Sequence, residues 1–111
     1  MKRIRYAERE FGTDDRLADL VLEYAALLAR SNSADTVTIP GRFGAGEVED
    51  VSLLIGPASQ ITARADREAF GGDASEATAD LERRIRRLSS NIGDSSEGLG
   101  PEAIDDFDDL A

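Results

Sequence analysis

With 111 residues, the chain has room for one domain, and its apolar fraction of 41% with only 5% aromatic residues predicts a mainly aliphatic core. The absence of cysteine excludes disulfides and thiolate metal sites, and the absence of histidine removes the commonest general base and zinc ligand. We therefore expect no metal site and no cofactor, and we favour a non-catalytic role.

The charge of the chain is unevenly distributed. Residues 93–111 hold seven acids and no base, whereas residues 1–92 hold 16 acids and 13 bases, which gives a net charge of −10. Because the acidic end repels phosphate groups, nucleic acid is not an expected partner. No stretch approaches the roughly 18 apolar residues of a membrane span, and residues 1–5 lack an apolar signal region. We therefore expect a cytoplasmic protein without membrane contact.

The chain opens with a pattern of alternating character. Ile4 and Tyr6 alternate with arginines within residues 2–11, which predicts one short, half-buried strand. The alternative is a helical lead-in that uses Ile4, Ala7 and Phe11. In either case we expect the following glycine to separate this segment from the main helix.

The strongest pattern predicts a long helix over residues 13–30. Thr13, Asp14 and Asp15 provide capping oxygens and suit the positive end of the helix dipole. One face can pack on a sheet, but its spacing also fits a coiled-coil seam, so a homodimer through this helix is a second prediction. The apolar positions at helical spacing are Leu17, Leu20, Val21, Tyr24, Leu27 and Leu28.

Three further strands are predicted after the main helix. Residues 36–39 alternate in polarity, residues 41–46 are glycine-rich and predict a hairpin loop, and residues 51–55 follow as a strand. The continuous apolar end of that strand is typical of a central strand covered on both faces. Residues 60–65 predict a returning strand, and a helix over residues 57–70 is the alternative.

A second helix is predicted from Asp73, which has capping-box spacing to Glu76, and Gly93 is its predicted end. Its apolar stripe consists of Ala77, Leu81, Ile85, Leu88 and Ile92.

The same helix carries the one concentrated basic patch, which is a candidate partner-binding site. Four guanidinium groups close together can hold phosphates or an acidic partner. The alternative is a solvated face on which Asp80 and Glu82 pair with arginines four residues later. The patch consists of Arg83, Arg84, Arg86 and Arg87.

Residues 93–111 are predicted to form a flexible acidic tail. In a helix beginning near Pro101, apolar side chains would recur every three residues among acids, which suits folding onto a partner with a basic surface. The alternative is a tail that only increases solubility. The candidate partner-binding residues here are Ile104, Phe107, Leu110, Asp105, Asp106, Asp108 and Asp109.

Together these patterns predict an α+β fold with one domain over residues 1–92 and the acidic tail over residues 93–111. A small, mainly antiparallel sheet of three to four strands would pack on the long N-terminal helix, with the second helix near the C-terminus. For function we predict a regulatory, bacterial-type adaptor, inhibitor or antitoxin-like module that binds a protein partner through its acidic tail, its main helix or both. The alternative is a small ligand-binding domain or enzyme that uses carboxylates and arginines.

Overall fold

The computed structural model describes the backbone of residues 1–99 and the side chains of residues 1–91. Within residues 1–99, five strands form one antiparallel sheet in the order β4-β3-β2-β1-β5, and two helices accompany it. The predicted α+β class is confirmed, but the sheet has five strands instead of three or four. The elements are β1 (Lys2–Tyr6), β2 (Arg9–Thr13), α1 (Asp15–Arg30), β3 (Asp35–Arg42), β4 (Val48–Ile55), β5 (Ile61–Ala65) and α2 (Ser75–Leu99).

The predicted short N-terminal strand is confirmed as β1, and the helical lead-in is wrong, but residues 2–13 form a hairpin because a second strand, β2, follows. Strands β1 and β2 pair with Ile4 opposite Phe11, and both side chains are fully buried. Ala7 makes the tight turn in the left-handed conformation with φ of 56°. Gly12 does not separate the strand from the helix, because it lies within β2 and faces Met1, leaving no room for a side chain.

Helix α1 begins two residues later than predicted. Asp14 is its cap, and its Oδ2 accepts a hydrogen bond from the Leu17 amide at 3.1 Å. Thr13 belongs to β2 instead, where its buried hydroxyl donates to the Pro40 carbonyl at 2.8 Å and ties β2 to β3. The helix follows two strands, so it is not the N-terminal element.

The apolar stripe of α1 lies in the core of the chain itself. The helix ends at Arg30 as predicted, and Asn32 takes the left-handed conformation with φ of 53°. Because the stripe is buried within one chain, it is not available as the predicted coiled-coil seam of a homodimer. Its buried members include Leu17, Leu20, Val21, Tyr24, Leu27 and Leu28.

Strand β4 is an edge strand, so the prediction of a central strand covered on both faces is wrong. Leu53 and Ile55 are buried, but Leu54 between them is 61% exposed. Although all three residues are apolar, their burial alternates as expected for a sheet with one covered face. The hairpin loop before β4 is shorter than predicted, since β3 continues to Arg42 and the loop spans residues 43–47.

The predicted strand over residues 60–65 is confirmed as β5, and the helical alternative is wrong. Strands β4 and β5 lie at opposite edges of the sheet, yet only residues 56–60 connect them. The sheet is therefore curled, and its two edges approach each other at this connection. The Tyr6 hydroxyl, on β1, donates across that gap to the Leu54 carbonyl.

Helix α2 packs mainly against α1 and also contacts β3. Asp73 precedes it and accepts hydrogen bonds from the Ser75 amide at 3.0 Å and the Ser75 hydroxyl at 2.7 Å. Leu81 and Ile85 of the predicted stripe are buried. The helix passes through Gly93, its predicted end, and continues to Leu99. Within the described part of the chain, neither helix has the length and apolarity needed to cross a membrane.

Candidate functional site

Two neighbouring depressions lie where α2 passes beside β3, and Asp80 lines both, so we describe them as the two ends of one α2–β3 groove. One end has a volume of about 450 Å³ and is lined by residues that include Tyr24, Asp35 and Arg84. We call it the network end. The other has a volume of about 410 Å³, and we call it the acidic end; its charged lining residues are Asp50, Asp73, Glu76, Asp80 and Arg83.

The network end ties three elements together through Asp35, at the start of β3. Its Oδ2 accepts hydrogen bonds from the Tyr24 hydroxyl at 2.6 Å and from Arg84 Nη1 at 2.7 Å. Arg84 Nη1 also donates to the Thr36 carbonyl at 3.0 Å, and Arg84 Nε lies 3.0 Å from Asp80 Oδ2. Side chains from α1, β3 and α2 thus meet in one hydrogen-bonded cluster.

The electrostatics of this cluster hold each group in one protonation state. Burial opposes the ionisation of Asp35, but hydrogen bonds from Tyr24, the Thr36 amide and Arg84 outweigh burial and lower the pKa of the carboxyl. Burial, followed by the hydrogen bond to Asp35, raises the pKa of Tyr24 to about 12. Tyr24 therefore keeps its proton at neutral pH and acts as a donor.

These contacts give the network end a positioning role. Both oxygens of the Asp35 carboxylate have partners within the chain, because Oδ2 accepts from Tyr24 and Arg84 and Oδ1 accepts from the Thr36 amide. Arg84 also pairs with Asp80. Burial opposes the charge on Arg84, but its hydrogen bonds to Asp35 and Asp80 raise the pKa of the guanidinium. The cluster adds polar contacts that hold α2 beside β3, in addition to the packing of α2 on α1.

The acidic end brings carboxylates from three segments around one open depression. Asp80 is bound by Arg83 at 3.3 Å and by Arg84. The amide and hydroxyl of Ser75 lower the pKa of Asp73 by hydrogen bonding. Among the described side chains, Asp50 and Glu76 take part in no ion pair of 4.0 Å or less. Four acids against one arginine give this end a negative field.

No group of three or more acidic side chains in the described part of the chain has the arrangement of a metal site. The acidic end therefore presents its carboxylates as separate charges around a groove.

The structure separates the four arginines of the predicted basic patch. Arg84 turns inward to the network, and Arg83 binds Asp80. Arg87 lines the network end, whereas Arg86 lines a smaller groove between α1 and α2 that also includes Glu23 and Glu82. The patch is therefore not one continuous basic surface, and partner binding by these residues stays a prediction.

One predicted ion pair on α2 is confirmed, and the other is replaced. Asp80 and Arg84 pair four residues apart, as expected from helix geometry. Glu82 does not pair with Arg86 but binds Arg16 of α1 at 3.2 Å. An interhelical partner is thus preferred to the neighbour on the same helix.

The predicted tail site lies outside the described residues. It comprises Ile104, Phe107, Leu110, Asp105, Asp106, Asp108 and Asp109. Conversely, sequence reasoning missed Asp35 and Asp50. Asp35 meets Arg84 across 49 positions of sequence, a separation at which local spacing carries no signal.

Comparison with known proteins gives no family assignment. No protein-family model matches the chain, and no curated protein or solved structure matches it either.

Proposed function

We propose that this protein is a small cytoplasmic interaction module, of the adaptor, inhibitor or antitoxin-like kind, which binds a protein partner with a basic surface. The observation that carries the proposal is the acidic end of the α2–β3 groove, where four carboxylates from β4, α2 and the segment before α2 surround one depression. The acidic tail over residues 93–111 is the second contact that we propose.

Charge complementarity is the physical basis of the proposed binding. Lysine or arginine side chains of a partner would be drawn to the groove by its field, which increases the rate of association and sets the orientation of the complex. Each exposed ion pair contributes only about 0.2–1 kcal/mol, so several must act together. We therefore expect affinity in the micromolar range that falls steeply as salt is added.

We propose the groove and not the main helix as the docking surface. The apolar face of α1 is buried in the core, and Leu20 and Tyr24 are 2% and 5% exposed. A partner cannot reach that face without unfolding the domain. The groove beside α2, in contrast, is open to solvent along its acidic lining residues, including Asp73 and Glu76.

The experiment is a calorimetric titration of the full chain with a synthetic lysine-rich peptide at low salt. The double substitution Asp50→Asn and Glu76→Gln removes two charges that have no ion-pair partner among the described side chains. We expect it to weaken binding roughly fivefold to tenfold. The matched control, Glu8→Gln with Glu23→Gln, removes the same charge elsewhere on the surface and should weaken binding by less than about twofold.

A third arm of the titration tests the tail. If the tail contacts the partner, Phe107→Ala in the full chain should weaken binding by at least about 1 kcal/mol, because an aromatic anchor carries more energy than the surrounding charges. Equal weakening by both double variants would show that only net charge matters and would contradict the groove proposal. Unchanged binding by Phe107→Ala would remove the tail from the contact.

A further inference from the structure

A separate groove lies where the β1–β2 hairpin approaches the β4–β5 connection, away from the α2–β3 groove. Its volume is about 430 Å³, within the range of small-molecule sites. The hairpin contributes Arg5, Tyr6 and Ala7, and the connection and β5 contribute Ala58, Ser59, Gln60 and Thr62.

Among the described side chains, those that line this groove include no carboxylate, although the chain has 23 acids and 13 bases. Each of the other three grooves described above is lined by at least two carboxylates. Among the four grooves described, this is thus the one whose described lining holds a cation and no carboxylate.

The hydrogen bond from Arg64 lowers the pKa of Glu10 and the charge of Arg5 helps from a distance, but Arg5 has no ion-pair partner of its own among the described side chains. Arg5 lies between Glu10 on β2 and Thr62 on β5. Both oxygens of Glu10 are held by Arg64, through Nε at 3.3 Å and Nη2 at 3.2 Å. Among the described side chains, Arg5 forms no ion pair of its own, and it is exposed. Its donors are therefore available to a ligand.

The walls of the groove are held in place before any ligand binds. The Tyr6 hydroxyl donates to the Leu54 carbonyl, and the Ser59 hydroxyl accepts from the Gly56 amide at 3.0 Å. Ala7 keeps a left-handed backbone with φ of 56°, which costs an alanine about 1–2 kcal/mol.

We propose that this groove binds a small-molecule oxyanion, a carboxylate or a phosphate, through the guanidinium of Arg5. The planar fork of an arginine donates two parallel hydrogen bonds to either group. The hydroxyl of Thr62, directly opposite Arg5 on β5, and the side-chain amide of Gln60 supply further donors. The alanines leave space for a small apolar body attached to the anion. This proposal is independent of the proposed protein partner.

The test uses the full chain labelled with nitrogen-15, titrated with phenyl phosphate, benzoate and the uncharged control benzamide. We expect changes in the backbone amide chemical shifts around Arg5, Gln60 and Thr62 with one or both anions. We expect no such changes with benzamide. Binding of phenyl phosphate alone or benzoate alone assigns the anion class. Failure of both anions to shift these amides would overturn the proposal, as would equal shifts with benzamide.

Variants show whether Arg5 is the anchor. Arg5→Gln should weaken binding roughly tenfold, because the ligand loses a bidentate charged partner. Arg30→Gln, an equal change of charge at the end of α1, should leave the affinity within about twofold. Thr62→Val keeps the shape of the strand and should weaken binding by a few fold through the lost hydroxyl. Unchanged affinity in Arg5→Gln would overturn the proposal, whatever the effect of Thr62→Val.

Discussion

Replacing Arg84 by methionine tests whether the network end holds α2 against β3. The substitution keeps a long, helix-favouring side chain but removes the guanidinium. It breaks the contacts of Arg84 with Asp35 at 2.7 Å, with the Thr36 carbonyl at 3.0 Å and with Asp80 at 3.0 Å. The Asp35 carboxylate would then keep the Tyr24 hydroxyl and the Thr36 amide as its donors.

The burial of the pair sets the size of the expected effect. The Arg84 side chain is 28% exposed and that of Asp35 is 35% exposed, so the pair is neither fully buried nor fully solvated. Breaking a buried pair costs about 3–5 kcal/mol, whereas an exposed pair contributes about 0–1 kcal/mol. We therefore expect Arg84→Met to lower the free energy of unfolding by about 2–3 kcal/mol.

Chemical denaturation of the full chain measures this loss, with Arg83→Met as the matched control. Arg83 lies on the same helix, but its side chain is 56% exposed and pairs only with Asp80, at 3.3 Å. The control should lose no more than about 0.5 kcal/mol. In thermal unfolding, Arg84→Met should again lose more than Arg83→Met. We expect its midpoint temperature to fall by about 10–20 °C.

Equal losses in Arg84→Met and Arg83→Met would refute the reasoning, because they would mean that the contacts of Arg84 with β3 contribute nothing beyond helix propensity. A double-mutant cycle with Asp35→Asn adds a direct measure of the pair. Its coupling energy should be at least about 1 kcal/mol if the contact is as close as the structure shows.

Three other predictions follow from the core and the buried tyrosine. In chemical denaturation, Leu20→Ala should lower the free energy of unfolding by about 2–5 kcal/mol and Glu23→Ala by no more than about 0.5 kcal/mol, since only Leu20 is in the core. Equal losses would mean that the assignment of the buried face of α1 is wrong. Gly41→Ala would place a Cβ 2.6 Å from a Phe11 ring carbon, so a loss of about 1–3 kcal/mol is expected by thermal melting, and no loss would contradict the packing. Because folding raises the pKa of Tyr24 from 10.0 to about 12, its stabilising contribution is complete below pH 10.0 and is lost as the pH rises through about 12. Ultraviolet titration of tyrosinate, compared with stability against pH, checks this, and a Tyr24 titration near pH 10.0 would contradict it.

Elements with strong local signals were predictable from the sequence. Helix α1 has an apolar stripe at helical spacing and a capping aspartate, and its end at Arg30 is correct. The β1–β2 hairpin was missed because its turn contains Ala7 and no glycine, proline or asparagine. The left-handed conformation of Ala7 is imposed by the pairing of the strands, which local propensity does not show.

Contacts between distant segments were beyond the reach of sequence patterns. The Asp80–Arg84 pair lies within one helix and was predicted, whereas the Asp35–Arg84 contact joins β3 to α2. The edge position of β4 depends on which strands are its neighbours, and the run of Leu53, Leu54 and Ile55 does not encode that. The acidic end of the groove has the same origin, since the curled sheet and α2 bring its carboxylates together.

The most direct test of the proposed function is to map where a lysine-rich peptide binds on the nitrogen-15-labelled full chain. We expect the changes in amide chemical shift to cluster around Thr38, Asp50 and Glu76, which line the acidic end of the groove. These shifts should disappear as salt is added, because the contacts are exposed ion pairs. Shifts that cluster instead around Arg5, or that spread evenly over all acidic surface residues, would contradict the account.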